Sequence, residues 1–172
     1  MNSVKITSGT LRGRTIATPG GNTHPMGERE RLALFNMLTE YIPGARVLDA
    51  FAGSGALGIE AMSRGALTVE FVEKNPKACQ VIRDNLKKLD LEAKVTKSSV
   101  LDYASDAQFD LILADPPYTD FKVEEVKHLL RFLKSGGVLG LSHPGDAPNL
   151  PKMELVRSRK YAGASISLYF KG

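Results

Sequence analysis

Apolar and polar positions along this 172-residue chain follow two alternating periods. Leu32, Leu34, Phe35 and Leu38 give an apolar face at helical spacing and Pro43-Gly44 ends it, which predicts a helix over 28–41. Ahead of it, the Gly-, Thr-, Pro- and Arg-rich stretch 8–27 reads as a strand followed by irregular structure. Beyond it, short apolar runs predict strands at 46–51, 68–73, 93–97, 109–114 and 138–142. Helices are expected between them at 56–64, 76–89 and 122–133. Gly65 closes the helix at 56–64. Asn75 caps the next, with Pro76 in its first position, and Gly136-Gly137 stops the last. Two final strands, 153–159 and 165–170, are joined through Ala162-Gly163.

Strand–helix alternation predicts an α/β fold: a mostly parallel, Rossmann-like sheet of seven strands with helices on both faces. The closing pair predicts an antiparallel hairpin at one edge. Such sheets bind ligands beyond the carboxyl ends of their strands. The loops after Phe51, Glu73, Lys97 and Ala114 are therefore the ones to inspect. No repeat or low-complexity tract interrupts the pattern. One domain is expected over 1–172, with 1–27 a basic strand and loop extension ahead of the core at 28–172.

Composition narrows the class. Hydrophobic residues at 42% and charged residues at 24% suit a soluble globular domain. No apolar run approaches the roughly 20 residues of a membrane span. Met1-Asn2-Ser3-Val4-Lys5 lacks the apolar core of a secretory signal, and the single Cys79 excludes an internal disulfide. A cytoplasmic monomer with no metal is the expectation. The net charge of +4 is unevenly spread: +3 over 1–31, +4 over 152–172 and −3 between them. Two basic ends fit a phosphate backbone, and they also fit an ordinary solvated surface.

Asp49-Ala50-Phe51-Ala52-Gly53-Ser54-Gly55 occupies a strand-to-helix turn, where Gly53 and Gly55 let backbone approach a ligand closely. Gly53 to Gly58 reads G-x-G-x-x-G, and Glu73 ends the following strand, where its carboxylate can accept both hydroxyl protons of a ribose. A pyrophosphate would be repelled by Asp49, whereas a sulfonium cofactor with an amino group tolerates it. The chain is also too short to carry a dehydrogenase's substrate domain. S-adenosyl-L-methionine is the expected cofactor.

Asp115-Pro116-Pro117-Tyr118 directly follows the apolar strand at 109–114. An exocyclic base amine is a poor nucleophile because its lone pair is delocalised into the ring. Two acceptors, the Asp115 carboxylate and the Pro116 carbonyl, can hold its two N–H groups and aim that lone pair. Pro116 and Pro117 stiffen the loop and remove competing donors. The Tyr118 ring can stack on an extruded base. The plainer alternative is a Pro-Pro turn with Asp115 as a cap.

The chain resembles the 16S rRNA guanine-N2 methyltransferases of the RsmD type, within the class I Rossmann-like methyltransferases. The likeness runs from Ile6-Thr7-Ser8-Gly9-Thr10-Leu11-Arg12-Gly13-Arg14, through His24-Pro25-Met26-Gly27-Glu28-Arg29-Glu30-Arg31 and Leu34-Phe35-Asn36, to Val47–Ala61 and Ser63-Arg64-Gly65-Ala66. Glu73, Asn85-Leu86, the tetrapeptide and Tyr161-Ala162-Gly163 complete it. The resemblance implies that Asp49, Gly53, Gly55 and Ala56 line the methionine end of the cofactor, with Phe51 and Asp115 also binding it. It places Glu73 and Lys74 at the ribose, Ser99 and Val100 near adenine, and Asp115 to Tyr118 at the guanine. Arg12, Arg14, Arg29 and Arg31 would meet phosphates of 16S rRNA, free or within the small ribosomal subunit. The chain departs from the pattern at Met26-Gly27-Glu28, where two threonines usually precede an aspartate, and at Ser99, often asparagine.

Three other readings stay open on the residues alone. The tetrapeptide also serves adenine-N6, another rRNA guanine or a glutamine amide. A non-catalytic RNA-binding protein could keep the scaffold, although Asp49, Glu73 and Asp115 would then be retained together without use. A small NAD-binding domain would leave the tetrapeptide unexplained.

Overall fold

The computed structural model describes residues 2–20 and 26–172. His24-Pro25 of the family likeness falls outside them. Two short strands, β1 (Ser3–Lys5) and β2 (Thr15–Ala17), pair antiparallel. Helix α1 (Glu28–Leu38) follows, then β3 (Arg46–Asp49), α2 (Ala56–Ser63), β4 (Thr68–Glu73), α3 (Pro76–Lys88) and β5 (Lys94–Lys97). The second half runs β6 (Phe109–Ala114), α4 (Val123–Leu129), β7 (Leu133–His143), β8 (Met153–Tyr161) and β9 (Ala164–Lys171). One seven-stranded sheet has the order β5-β4-β3-β6-β7-β9-β8. It is parallel from β5 to β7 and antiparallel through β9 and β8.

Helices cover both faces, as the alternation predicts. Because strand side chains alternate, β6 sends Leu111 and Leu113 to one face, and Ile112 and Ala114 to the other. The first face is packed by Leu34, Phe35 and Leu38 of α1, Ile59 of α2, and Ile82 and Leu86 of α3. The second is packed by Val126 and Leu129 of α4. Asn75 caps α3: its side-chain oxygen accepts from the amides of Lys77 and Ala78 at 2.9 and 3.1 Å.

Two elements differ from the pattern reading. The segment 8–27 does not open with a strand; β1 begins at Ser3, and 6–14 forms the hairpin turn into β2. Ile6 and Ile16 anchor that hairpin in the core. Secondly, Gly136-Gly137 does not end a helix. The helical segment closes earlier, through a tight turn at Leu130–Phe132, and β7 already starts at Leu133, opposite Phe109. Gly136, at φ +83°, absorbs a shift of register inside the strand.

The N-terminal hairpin is clamped onto the core by polar groups. Buried Glu60 accepts the amides of Thr7 and Ser8 at 2.9 and 3.2 Å and pairs with Arg64 at 2.9 Å. Ser63 accepts from the Leu11 amide at 2.9 Å. At the other end, Asn85 accepts from the Ala17 amide and donates back to its carbonyl, both at 2.9 Å. Its amide also donates to the Ser54 carbonyl at 3.0 Å, which ties the hairpin to the glycine turn.

Candidate active site

Around β3 the chain order reverses: β4 lies on one side and β6 on the other. That is the topological switch point of an open α/β sheet, where a crevice forms beyond the strand ends. Here the carboxyl ends carry Asp49, Glu73 and Asp115, and a cavity of about 700 Å³ opens beside them.

The glycine turn is built for close approach. Gly53 and Gly55 have φ of +57° and +83°, a region that side chains disfavour. A Cβ on Gly53 would meet nothing within 4 Å, so its face is open to a ligand. Glu73 holds the turn: one carboxylate oxygen accepts from the Gly53 amide at 2.9 Å and the other from the Asn75 amide at 2.7 Å. Gly58 has another purpose. A Cβ there would lie 2.3 Å from the Phe71 ring, so α2 packs on β4 through the missing side chain.

Asp115 stands just past β6, and burial pushes its carboxyl up to about 7, the Ser142 hydroxyl pulling the other way. Tyr118 hydrogen-bonds the same Ser142 hydroxyl, and burial raises its phenol to about 12. Ser142 itself is buried near the end of β7.

Asp115, Pro116, Pro117 and Tyr118 all line the cavity, together with Phe51, Gly53, Ala56, Glu73, Lys74, Ser99 and Val100. The Ser99 hydroxyl is occupied by the Asp102 amide at 3.1 Å. Two expected cofactor residues do not line it. Gly55 is covered by Phe71, Ile59 and Ile82. Asp49, 1% exposed, points into the start of α2, accepting from the Gly58 amide at 2.9 Å; its other oxygen has no partner among the described residues. Burial raises Asp49 to about 7 against that hydrogen bond, with Asp115 and Glu73 adding to the rise.

The four arginines separate. Arg12 and Arg14 are exposed on the hairpin turn docked at Ser63, the far end of α2, about 12 Å along its axis from the glycine turn. Arg29 is exposed, with its guanidinium over the Tyr161 ring at 5.2 Å. Both line a groove of about 530 Å³ with Arg159, next to the Ala162-Gly163-Ala164 turn that borders the main cavity. Arg31 is a correction: it is 4% exposed and lines the main cavity, so it does not face solvent as a phosphate contact. Leu32, expected on the buried face, is 37% exposed instead.

Ser142 escapes the pattern reading, and Glu60, Ser63 and Asn85 enter it only within the family likeness, with no role assigned. Buried polar residues at apolar phase in β7, α2 and α3 were the available signal.

A family model described as conserved hypothetical protein 95 matches residues 4–170. Ribosomal RNA small subunit methyltransferase D of Haemophilus influenzae is 34% identical over 156 residues, covering 84% of this chain and 81% of that protein. The chain belongs to the RsmD family. Its fold agrees with that membership. The structure of yhhF from Escherichia coli matches with a TM-score of 0.89 at 30% identity, over 99% of this chain and 98% of that one. The methyltransferase RsmC of Thermus thermophilus shares the fold at 22% identity, with a TM-score of 0.71 over 99% of this chain and half of that one.

For an RsmD-family site the residues present fit S-adenosylmethionine. Glu73 keeps free lone pairs for a diol, Gly53 offers an open backbone face, and Arg31 Nε, on the cavity wall, is a buried polar atom without a partner among the described residues. Among the described residues no group of three or more His, Cys, Asp or Glu side chains is arranged to hold a metal, and no helix is long and apolar enough to cross a membrane.

Proposed function

We propose that this chain transfers a methyl group from S-adenosylmethionine to the N2 amine of a guanine in 16S rRNA. The observation that carries the reading is convergence: Gly53, Glu73 and Asp115-Pro116-Pro117-Tyr118 line one cavity at the switch point. When bound, S-adenosylmethionine supplies an electrophilic methyl group on a sulfonium. Glu73 accepts the ribose hydroxyls while its grip on the Gly53 amide keeps the turn in shape. Val100, buried after β5, offers an apolar wall to adenine, with Ser99 and Lys74 beside it.

Asp115 and the Pro116 carbonyl hold the guanine amine by its two N–H groups and turn its lone pair toward the methyl carbon. Methyl transfer would build positive charge on the amine nitrogen. The Asp115 carboxylate stabilises that charge and takes the departing proton, a task suited to a carboxyl near 7. Tyr118, fixed through Ser142, supplies a ring for the base to stack on. Arg29 and Arg159 line the neighbouring groove and suit phosphates of the same RNA, with Arg12 and Arg14 as more distant contacts.

The name of the Haemophilus influenzae relative supports a small-subunit rRNA substrate, and RsmC, on the same fold, is a 16S rRNA N2 methyltransferase solved with AdoMet and guanosine. The test is methylation of undermethylated 30S particles with labelled S-adenosylmethionine, followed by nucleoside mass spectrometry. N2-methylguanosine is expected; label in N6-methyladenosine would overturn the choice of base.

A further inference from the structure

Arg31 is a buried cation without a carboxylate. No acidic side chain stands within ion-pair distance of it among the described residues. Among the described residues its side chain makes one hydrogen bond, from Nη2 to the Lys5 carbonyl at 3.0 Å, and Nε has no partner. Burial lowers its basicity, opposed by the charges of Glu60 and Glu28. Glu60, the larger of those two influences, is already engaged by the Thr7 and Ser8 amides and by Arg64. A buried guanidinium left this way is costly unless something else supplies the counter-charge.

Its position says where that charge comes from. Arg31 lines the main cavity together with Gly27, whose carbonyl accepts the Arg31 amide at 2.9 Å, with Met26 and Leu57, and with Glu30, which forms no ion pair with it. Glu73, Ser99 and Val100 line other parts of the cavity, on β4 and beyond β5. A nucleoside with an amino-acid tail, its ribose on Glu73, carries its single anion on that tail. A guanidinium matches a carboxylate with paired N–H donors.

We infer that Arg31 binds the α-carboxylate of S-adenosylmethionine. The inference rests on the proposed function, and it moves Arg31 from the RNA surface to the cofactor. Holding Lys5 with one nitrogen, the side chain also couples the N-terminal hairpin to an occupied pocket.

The test is calorimetric binding of S-adenosylmethionine and its decarboxylated analogue, which keeps the amine, to the full chain and to R31Q. The wild type is expected to prefer the carboxylate form by about 10- to 100-fold, the range of a hydrogen bond between charged groups. R31Q should bind both compounds within about threefold, by weakening the carboxylate form alone. A merely structural arginine would weaken both equally, so an unchanged preference in R31Q overturns the inference. R31K, which keeps the charge but not the fork, should show a reduced preference and carries the same comparison if R31Q does not fold. A wild type that binds neither compound overturns the cofactor reading itself.

Discussion

The Glu73 carboxylate, at the end of β4, accepts the amide hydrogen of Gly53 at 2.9 Å, twenty residues away in the turn after β3. The acid proposed to bind the ribose is thereby also the brace of the glycine turn. Glu73→Gln keeps one acceptor oxygen for two backbone amides. Affinity for S-adenosylmethionine is expected to fall about 10- to 100-fold, as for lost hydrogen bonds to a charged group. Hydrogen exchange at the Gly53 amide should quicken in the same variant; unchanged exchange would count against the brace.

Asp115 acts as a carboxylate in the proposed transfer, and its carboxyl sits at about 7. The rate should therefore climb as pH rises through 7 and level off above it. Asp115→Ala should lower the rate at least 100-fold, the scale of removing one preorganised charge-stabilising group. Cofactor binding by calorimetry should stay close to wild type.

Asp49 predicts a stability trend of its own. Its folded value of about 7 lies above the ordinary 3.8, so the folded chain holds this proton more tightly than the unfolded one. That stabilising contribution is complete below about pH 4 and is lost as pH rises to about 7. Melting temperature without ligand should fall from pH 5 to pH 8. Asp49→Asn keeps an acceptor for the Gly58 amide without the buried charge. It should flatten the fall and stabilise the chain at pH 8 by about 1–3 kcal/mol.

Gly58→Ala should destabilise by about 1–3 kcal/mol, because the added carbon meets the Phe71 ring inside a packed layer. Chemical denaturation reads this directly. Gly53→Ala meets no atom but puts a side chain at φ +57°, so it should cost about 1–2 kcal/mol of stability as well as cofactor affinity.

Salt-dependent RNA binding separates the basic groups. Arg29→Ala with Arg159→Ala, in the neighbouring groove, should flatten the plot of log affinity against log salt by about 2, one per phosphate contact. Arg12→Ala with Arg14→Ala, at the far end of α2, should change it less if only the RNA near the target is gripped. Equal slopes for the two pairs would extend the footprint to the hairpin.

Strands of the parallel core were legible because burial on both faces makes them continuous apolar runs, such as 109–114. The glycine turn, Glu73 and the tetrapeptide were legible because each occupies a strand end. What escaped was phase and distance. Arg31, Leu34, Phe35 and Leu38 share one helical face at spacings of three and four, so Arg31 was in register with the core while Leu32 was not. Charge suggested the opposite. Ser142 meets Tyr118 across 24 residues, and Glu60 meets Thr7 across 53, contacts that only the assembled sheet creates. Gly136-Gly137 looked like a stop because glycine marks a strand irregularity and a helix end alike.

Strand β8 borders the sheet and is exposed along nearly its whole length, with Arg157, Arg159 and Lys160 on it and a register shift between Leu155 and Arg157. An open edge invites a second chain to add its own strand, and bulges and like charges discourage it. Cations suited to nucleic acid thus also guard against self-association. Neutralising several of them together, beside exposed Leu155 and Val156, should lower colloidal solubility before it reports anything about RNA.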